Sequence, residues 1–170
     1  MKTSGIVKRI DELGRIVIPK EIRKSLRIKE GCQLEITILN DEIVLSKHSP
    51  ILEYSECSSI CAEILYDKLS VPIFVTDLNN LVASAGVKYI KHKLKDETIK
   101  LIEKRTIMKL ENYDNKIFQN ETSAHKNLFI SPIIIDGDVF GSIIVDYKQD
   151  TQEMLNVVKF ATTFISKMID

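Results

Sequence analysis

The 170-residue sequence lacks a long hydrophobic run. No stretch of about 18 apolar residues occurs, which excludes a membrane-spanning helix. Its start, MKTSGIVKRIDE, lacks the apolar core of a secretion signal. A cytoplasmic chain with no membrane partner is expected. Cysteine is scarce, with three residues, and the odd number argues against a disulfide framework. His48, His92 and His125 are scattered, none with a metal-ligand neighbour at workable spacing. No glycine-rich phosphate loop and no nucleophile elbow is present. Neither an enzyme, a cofactor nor a metal is therefore expected. Helix-turn-helix, zinc-finger and basic-zipper patterns are also missing, so a long recognition helix is not expected. Tryptophan is absent, which excludes nothing. Net charge is absent as well, 24 Lys and Arg balancing 24 Asp and Glu.

That balance conceals an asymmetry. Residues 1–31 hold nine bases against four acids, a net of +5, whereas residues 51–170 hold 14 bases against 17 acids, a net of −3. Between them SKHSP, residues 46–50, is a polar stretch closed by Pro50. The reading is a small basic domain, 1–50, followed by a larger and mildly acidic one, 51–170. Such a split points to a polyanion as partner of the first part only.

Within the first fifty residues, Gly5–Ile10 and Arg15–Ile18 read as short strands around the turn Asp11-Glu12-Leu13-Gly14. Pro19 opens a short helix, where its missing N–H costs nothing. Ile18, Ile22 and Leu26 share one face of it, and Arg23, Lys24 and Arg27 lie away from that stripe. Leu34, Ile36 and Ile38 alternate with polar residues, and Asn40-Asp41-Glu42 turns the chain into a returning strand. A β-β-α-β-β unit this small buries only about 60% of its unfolded surface. Dimerisation would supply the missing core and place two sets of cations on one surface.

The segment KRIDELGRIVIPKEIRKSLRIKEGCQLEI resembles the DNA-binding domain of AbrB-type transition-state regulators. The similarity covers residues 1–47 and centres on GRIVIPKEIR. It implies an intertwined dimer of swapped hairpins and DNA contact by Lys8, Arg9, Arg15, Arg23 and Lys24. Arginine forks grip phosphates and read guanine edges, and ten such cations per dimer would make binding strongly salt-dependent. Antitoxins also use this fold and neutralise a toxin with a short, disordered C-terminal tail. An antitoxin is therefore the alternative reading.

The remaining 120 residues decide between the two. Apolar positions in 51–69 have helical spacing. Val71–Asp77 and Leu81–Ala85 read as strands, 87–94 and 96–105 as helices, and 106–126 as polar with a short strand near Lys116–Phe118. Asn127–Ile135 and Phe140–Asp146 read as a hairpin around IDGDV, and 150–169 as a terminal helix. Asp136 and Asp138 are explained by turn chemistry rather than as a catalytic pair. Cys57 and Cys61, four apart, read as small apolar residues of a helix seam, with a redox pair as the alternative. The order is that of a folded domain, and VPIFVTDLNNLVASAG with SPIIIDGDVFGSIIVDYKQ resembles a GAF domain, a sensory α/β fold. The expected fold class is α+β: an N-terminal swapped-hairpin β domain, then a GAF-like domain. An AbrB-type head joined to a GAF domain resembles regulators of late gene expression in the developing spore. That resemblance implies a homotetramer, a dimer of dimers, bound to double-stranded DNA. A small-molecule ligand would be walled by Phe74, Val75, Ile133 and the loop 106–126. Ligand binding and pure assembly both remain open for this domain.

Overall fold

Asn40 and Asp41 both take positive φ, as a two-residue hairpin turn requires, and they join β1 (Leu34–Leu39) to β2 (Glu42–Lys47). A second turn of this kind, Asp136-Gly137, joins β6 (Leu128–Ile135) to β7 (Asp138–Asp146). In the computed structural model, which describes residues 5–28, 30–87, 92–149 and 151–170, these hairpins belong to separate compact units, Met1–His48 and Ser49–Asp170.

In the first unit the turn at Asp11–Gly14 forms as the sequence suggests. Gly14 has φ +76, its N–H donates to the Asp11 carbonyl, and the Asp11 N–H donates to the Arg15 carbonyl. The helix α1 (Lys20–Ser25) follows Pro19. It ends with Arg27 in the left-handed region, where the N–H of Arg27 reaches Lys24 O and that of Ile28 reaches Arg23 O. Glycine usually fills that position. The expected strands at 5–10 and 15–18 are absent from the single chain. A strand needs a neighbour for its N–H and C=O groups, and beyond the turn these arms have none among the described residues. The unit also leaves its apolar residues uncovered, Val7 at 92% and Ile38 at 77% exposure among them.

The second unit is a five-stranded antiparallel sheet in the order β4-β3-β7-β6-β5, with β3 Ile73–Asp77, β4 Leu81–Ala85 and β5 Met108–Leu110. The helix expected over 51–69 is two helices, α2 (Pro50–Glu53) and α3 (Ser55–Leu69), divided at Tyr54. The terminal helix α5 (Gln152–Ile169) is capped by Thr151, whose side chain accepts the N–H of Met154. Alternation along the strands splits the core in two. Ile73, Val75, Phe129, Ile133, Ile143 and Val145 pack with α3 and α5. Phe74, Leu128, Ile130 and Ile144 pack on the other side, with α4 (Asp96–Ile102) and the segment carrying Ile117 and Phe118. Gly141 is required where β7 crosses β3, because a Cβ there would fall 1.9 Å from Thr76 O.

Three expectations are corrected. Strand β5 lies in the stretch read as loop. The strand near 116–118 is a lone bridge between Leu94 and Phe118. Val87 and residues 92–94 are not helical, Lys93 bridging to Asn80 and Leu94 to Phe118; the rest of the helix expected over 87–94 falls on 88–91, outside the described residues.

Candidate nucleic-acid interface

Asp11 organises the first basic element. Its Oδ1 accepts the N–H groups of Leu13 and Arg15, and its Oδ2 accepts Arg15 Nε at 2.7 Å. The backbone N–H of Arg15, then its guanidinium, holds the Asp11 carboxyl below the ordinary carboxylate range. Arg15 is thus aimed by its own turn while its side chain stays 70% exposed. Lys8 and Arg9 sit exposed on the arm that enters the turn, and Arg23 and Lys24 sit exposed in the last turn of α1. Pro19 and Ile22 are half-buried on the inner side, so the helix presents its cations outward. Of the five candidates only Arg15 is paired with an acid among the described residues. The arrangement is a cationic edge made of one tight turn and one short helix, suited to a polyanion.

In the second unit the candidate ligand wall is divided. Phe74 lies in the core layer beside α4, whereas Val75 and Ile133 lie in the layer beneath α3 and α5. Neighbouring strand residues point to opposite faces, so the three do not line one cavity. A hollow of about 250 Å³ lies elsewhere, between Ile107, Lys109, Phe129, Thr151, Gln152 and Leu155. Cys61 is buried against the sheet, and that burial, with Cys57 beside it, pushes its thiol up to about 11. At neutral pH it is a thiol and not a thiolate. Among the described residues no group of His, Cys, Asp and Glu is arranged to hold a metal ion.

Sequence reasoning missed one cluster. His125 is buried, its Nδ1 2.8 Å from Asp146 Oδ2 and its Nε2 2.8 Å from Glu121 Oε1. Burial works against the charged ring, but the hydrogen bonds to Asp146 and Glu121 outweigh it and raise its pKa to about 9. Burial likewise opposes charge on Glu121, yet the bonds from His125 and from the Phe118 and Ile117 amides bring its pKa down. The cluster is therefore an imidazolium between carboxylates. The spacing Glu121-x-x-x-His125 was the available signal.

A family model described as stage V sporulation protein T C-terminal, transcription factor, matches residues 53–170. Residues 7–53 match the family described as antidote-toxin recognition MazE, bacterial antitoxin. Over its whole length the chain is 32% identical to stage V sporulation protein T of Bacillus subtilis (strain 168), covering 99% of that protein. Over 50 residues, 29% of this chain and 52% of the other, it is 50% identical to the transition state regulatory protein AbrB of the same organism. Among solved structures, the cofactor-binding GAF domain of the nutrient sensor CodY from Clostridium difficile aligns with a TM-score of 0.51 at 18% identity. That alignment covers 70% of this chain and 93% of the other. The AbrB-like and GAF-like fold classes both hold.

Proposed function

The chain belongs to the stage V sporulation protein T family, and from that premise we propose a cytoplasmic DNA-binding transcription regulator of sporulation genes that works as an assembly of four copies. One observation carries the reading: a single chain joins the cationic turn-and-helix unit to the folded unit that matches the transcription-factor family. No catalytic step is part of it.

Two copies of the first unit pair, covering their apolar arms and setting ten cations (Lys8, Arg9, Arg15, Arg23 and Lys24, twice) along one surface. Phosphate contacts by these residues supply affinity and its salt dependence. Arg15, whose direction the Asp11 turn fixes, is the residue placed nearest the bases. In the second unit, Ile60, Ile64, Phe160, Phe164 and Met168 are exposed on α3 and α5, and a second copy covers them to join dimers into a tetramer.

Titrating labelled promoter fragments of spore genes with the full chain, over a salt series, tests the reading. Arg23→Ala and Lys24→Ala should each weaken all sequences alike and lower the salt slope by about one. Arg15→Ala should cost roughly 1–3 kcal/mol and relax sequence preference. Melting should not move, because all three side chains are exposed. Near-wild-type binding in all three variants would place the DNA on another surface. The antitoxin reading has the match over residues 7–53 in its favour, but it leaves the folded unit of residues 49–170 without a task.

A further inference from the structure

Residues 111–127 cross the α4 side of the sheet without a helix or strand of their own. The two arms of this segment are tied to each other: Tyr113 N–H donates to Lys126 O and His125 N–H to Asn115 O. Its tip carries Ile117 and Phe118, both fully buried in the layer between α4 and the sheet. The Phe118 ring meets that of Phe74 edge-on at 5.5 Å.

A chain of polar contacts holds the tip there. Glu121 Oε2 accepts the N–H groups of Ile117 at 2.6 Å and Phe118 at 2.9 Å. The other oxygen of Glu121 meets His125, and His125 meets Asp146 at the end of β7. On the far side, the Ile117 carbonyl accepts Lys95 N–H and the Thr98 hydroxyl at the start of α4. One imidazole therefore links the sheet to the backbone of the tip. Without it, the buried Glu121 carboxylate and the partly exposed Asp146 lose the group that joins them, and the charge on Glu121 is left without its partner. The other core, beneath α3 and α5, contains no residue of 111–127, so it keeps the sheet packed whatever this segment does.

We propose that residues 111–127 are a latched strap: the Asp146–His125–Glu121 contacts hold the chain's own Ile117 and Phe118 in the layer between α4 and the sheet, and the strap opens as a unit, without unfolding the sheet, when the latch is released. The strap fills with its own side chains the space through which that layer would be reached, and its opening is the step that exposes Phe74, Leu94 and Ile102. The inference stands apart from the DNA-binding reading, which involves only the first unit.

Native-state hydrogen exchange on the full chain, in low concentrations of denaturant, tests the proposal. In the wild type, the amides of Ile117, Phe118, Gln119 and His125 should exchange through an opening distinct from, and easier than, the one that releases the amides of β3, β6 and β7. His125→Gln and Glu121→Gln should speed exchange of the strap amides about tenfold or more and leave the sheet amides unchanged. Binding of anilinonaphthalene sulfonate should rise with them. Lys126→Ala, an exposed position on the same strap, should change neither. If strap and sheet amides share one opening in the wild type, the proposal is overturned, whether or not the variants fold. Equal acceleration of strap and sheet in the variants, or none in either, overturns it as well.

Discussion

His125 lies between two carboxylates with its ring almost wholly buried, and this decides how the second unit responds to pH. Burial opposes its charge, the bonds to Asp146 and Glu121 favour it, and the balance raises its pKa from 6.5 to about 9. A group with a raised folded pKa stabilises the fold fully below its unfolded value and loses that contribution as the pH climbs through the folded one. At about 1.4 kcal/mol for each pH unit, the contribution is roughly 3 kcal/mol. Urea unfolding of the full chain at a series of pH values checks this. The wild-type midpoint should hold between about pH 5 and 6.5 and fall by about pH 9, while that of His125→Gln stays level over the same window. A level wild-type midpoint over that window would show that folding does not raise the pKa of the ring. This residue was hidden in the sequence for a physical reason. Asp146 is 21 positions away on another element, and the strap that carries His125 has no period that announces which side chains turn inward. Asp11 and Arg15 were easier to read, because a tight turn is local chemistry.

Elements with their own period were legible; elements that depend on a distant partner were not. Leu81–Ala85 alternates and is β4, the IDGDV stretch is a hairpin turn, and α5 carries its apolar stripe over five turns. Strand β5 has three residues and exists only because β6 offers it an edge. The arms 5–10 and 15–18 have strand-forming residues and no strand neighbour among the described residues, so propensity alone did not make them strands. The wall proposed for a ligand failed on the period itself, since Phe74 and Val75 cannot face the same way. Period also explains what α3 and α5 leave uncovered. Ser58, Cys61, Ala62 and Leu65 on α3, with Met154, Val158, Ala161 and Ile165 on α5, are buried against the sheet. Ile60, Ile64, Phe160 and Phe164 are not, and Lys68–Glu153 joins the end of one helix to the start of the other. A stripe of this size on two adjacent helices is the kind of surface that interfaces use, and the proposed tetramer sets a second copy on it. Phe160→Asp, at 73% exposure, should halve the mass of the full chain by light scattering without shifting its melting. A tetramer that persists in this variant would move the second interface elsewhere.

At the scale of the whole molecule, each unit carries its own incomplete surface, and the two are incomplete in different ways. The second unit has two closed cores and leaves an apolar stripe exposed on α3 and α5. The first has no buried apolar residue at all between Gly5 and His48 among those described. Ile6, Val7, Ile10, Leu13, Ile16 and Val17 on the turn arms, with Ile36, Ile38 and Ile43 on the hairpin, are all at least half exposed. Burying an aliphatic side chain of this size contributes about 1.5–3 kcal/mol, so leaving nine of them in water forfeits more than a small domain's whole net stability. The arms also hold backbone groups that only another strand can pair. The proposed pairing, a second copy whose arms enter the first, would meet both deficits and make folding and association one event. In the proposed assembly, two different self-complementary faces in one chain would close as a dimer of dimers. A fragment of residues 1–50 isolates the first face. Sedimentation and circular dichroism over a dilution series should show a folded dimer at high concentration, with structure lost in step with mass on dilution. Its melting temperature should rise with concentration, as mass action requires when only the dimer is folded. A fragment that stays folded as a monomer at micromolar concentration would mean that its core closes within one chain, and the pairing that sets ten cations on one surface would go with it.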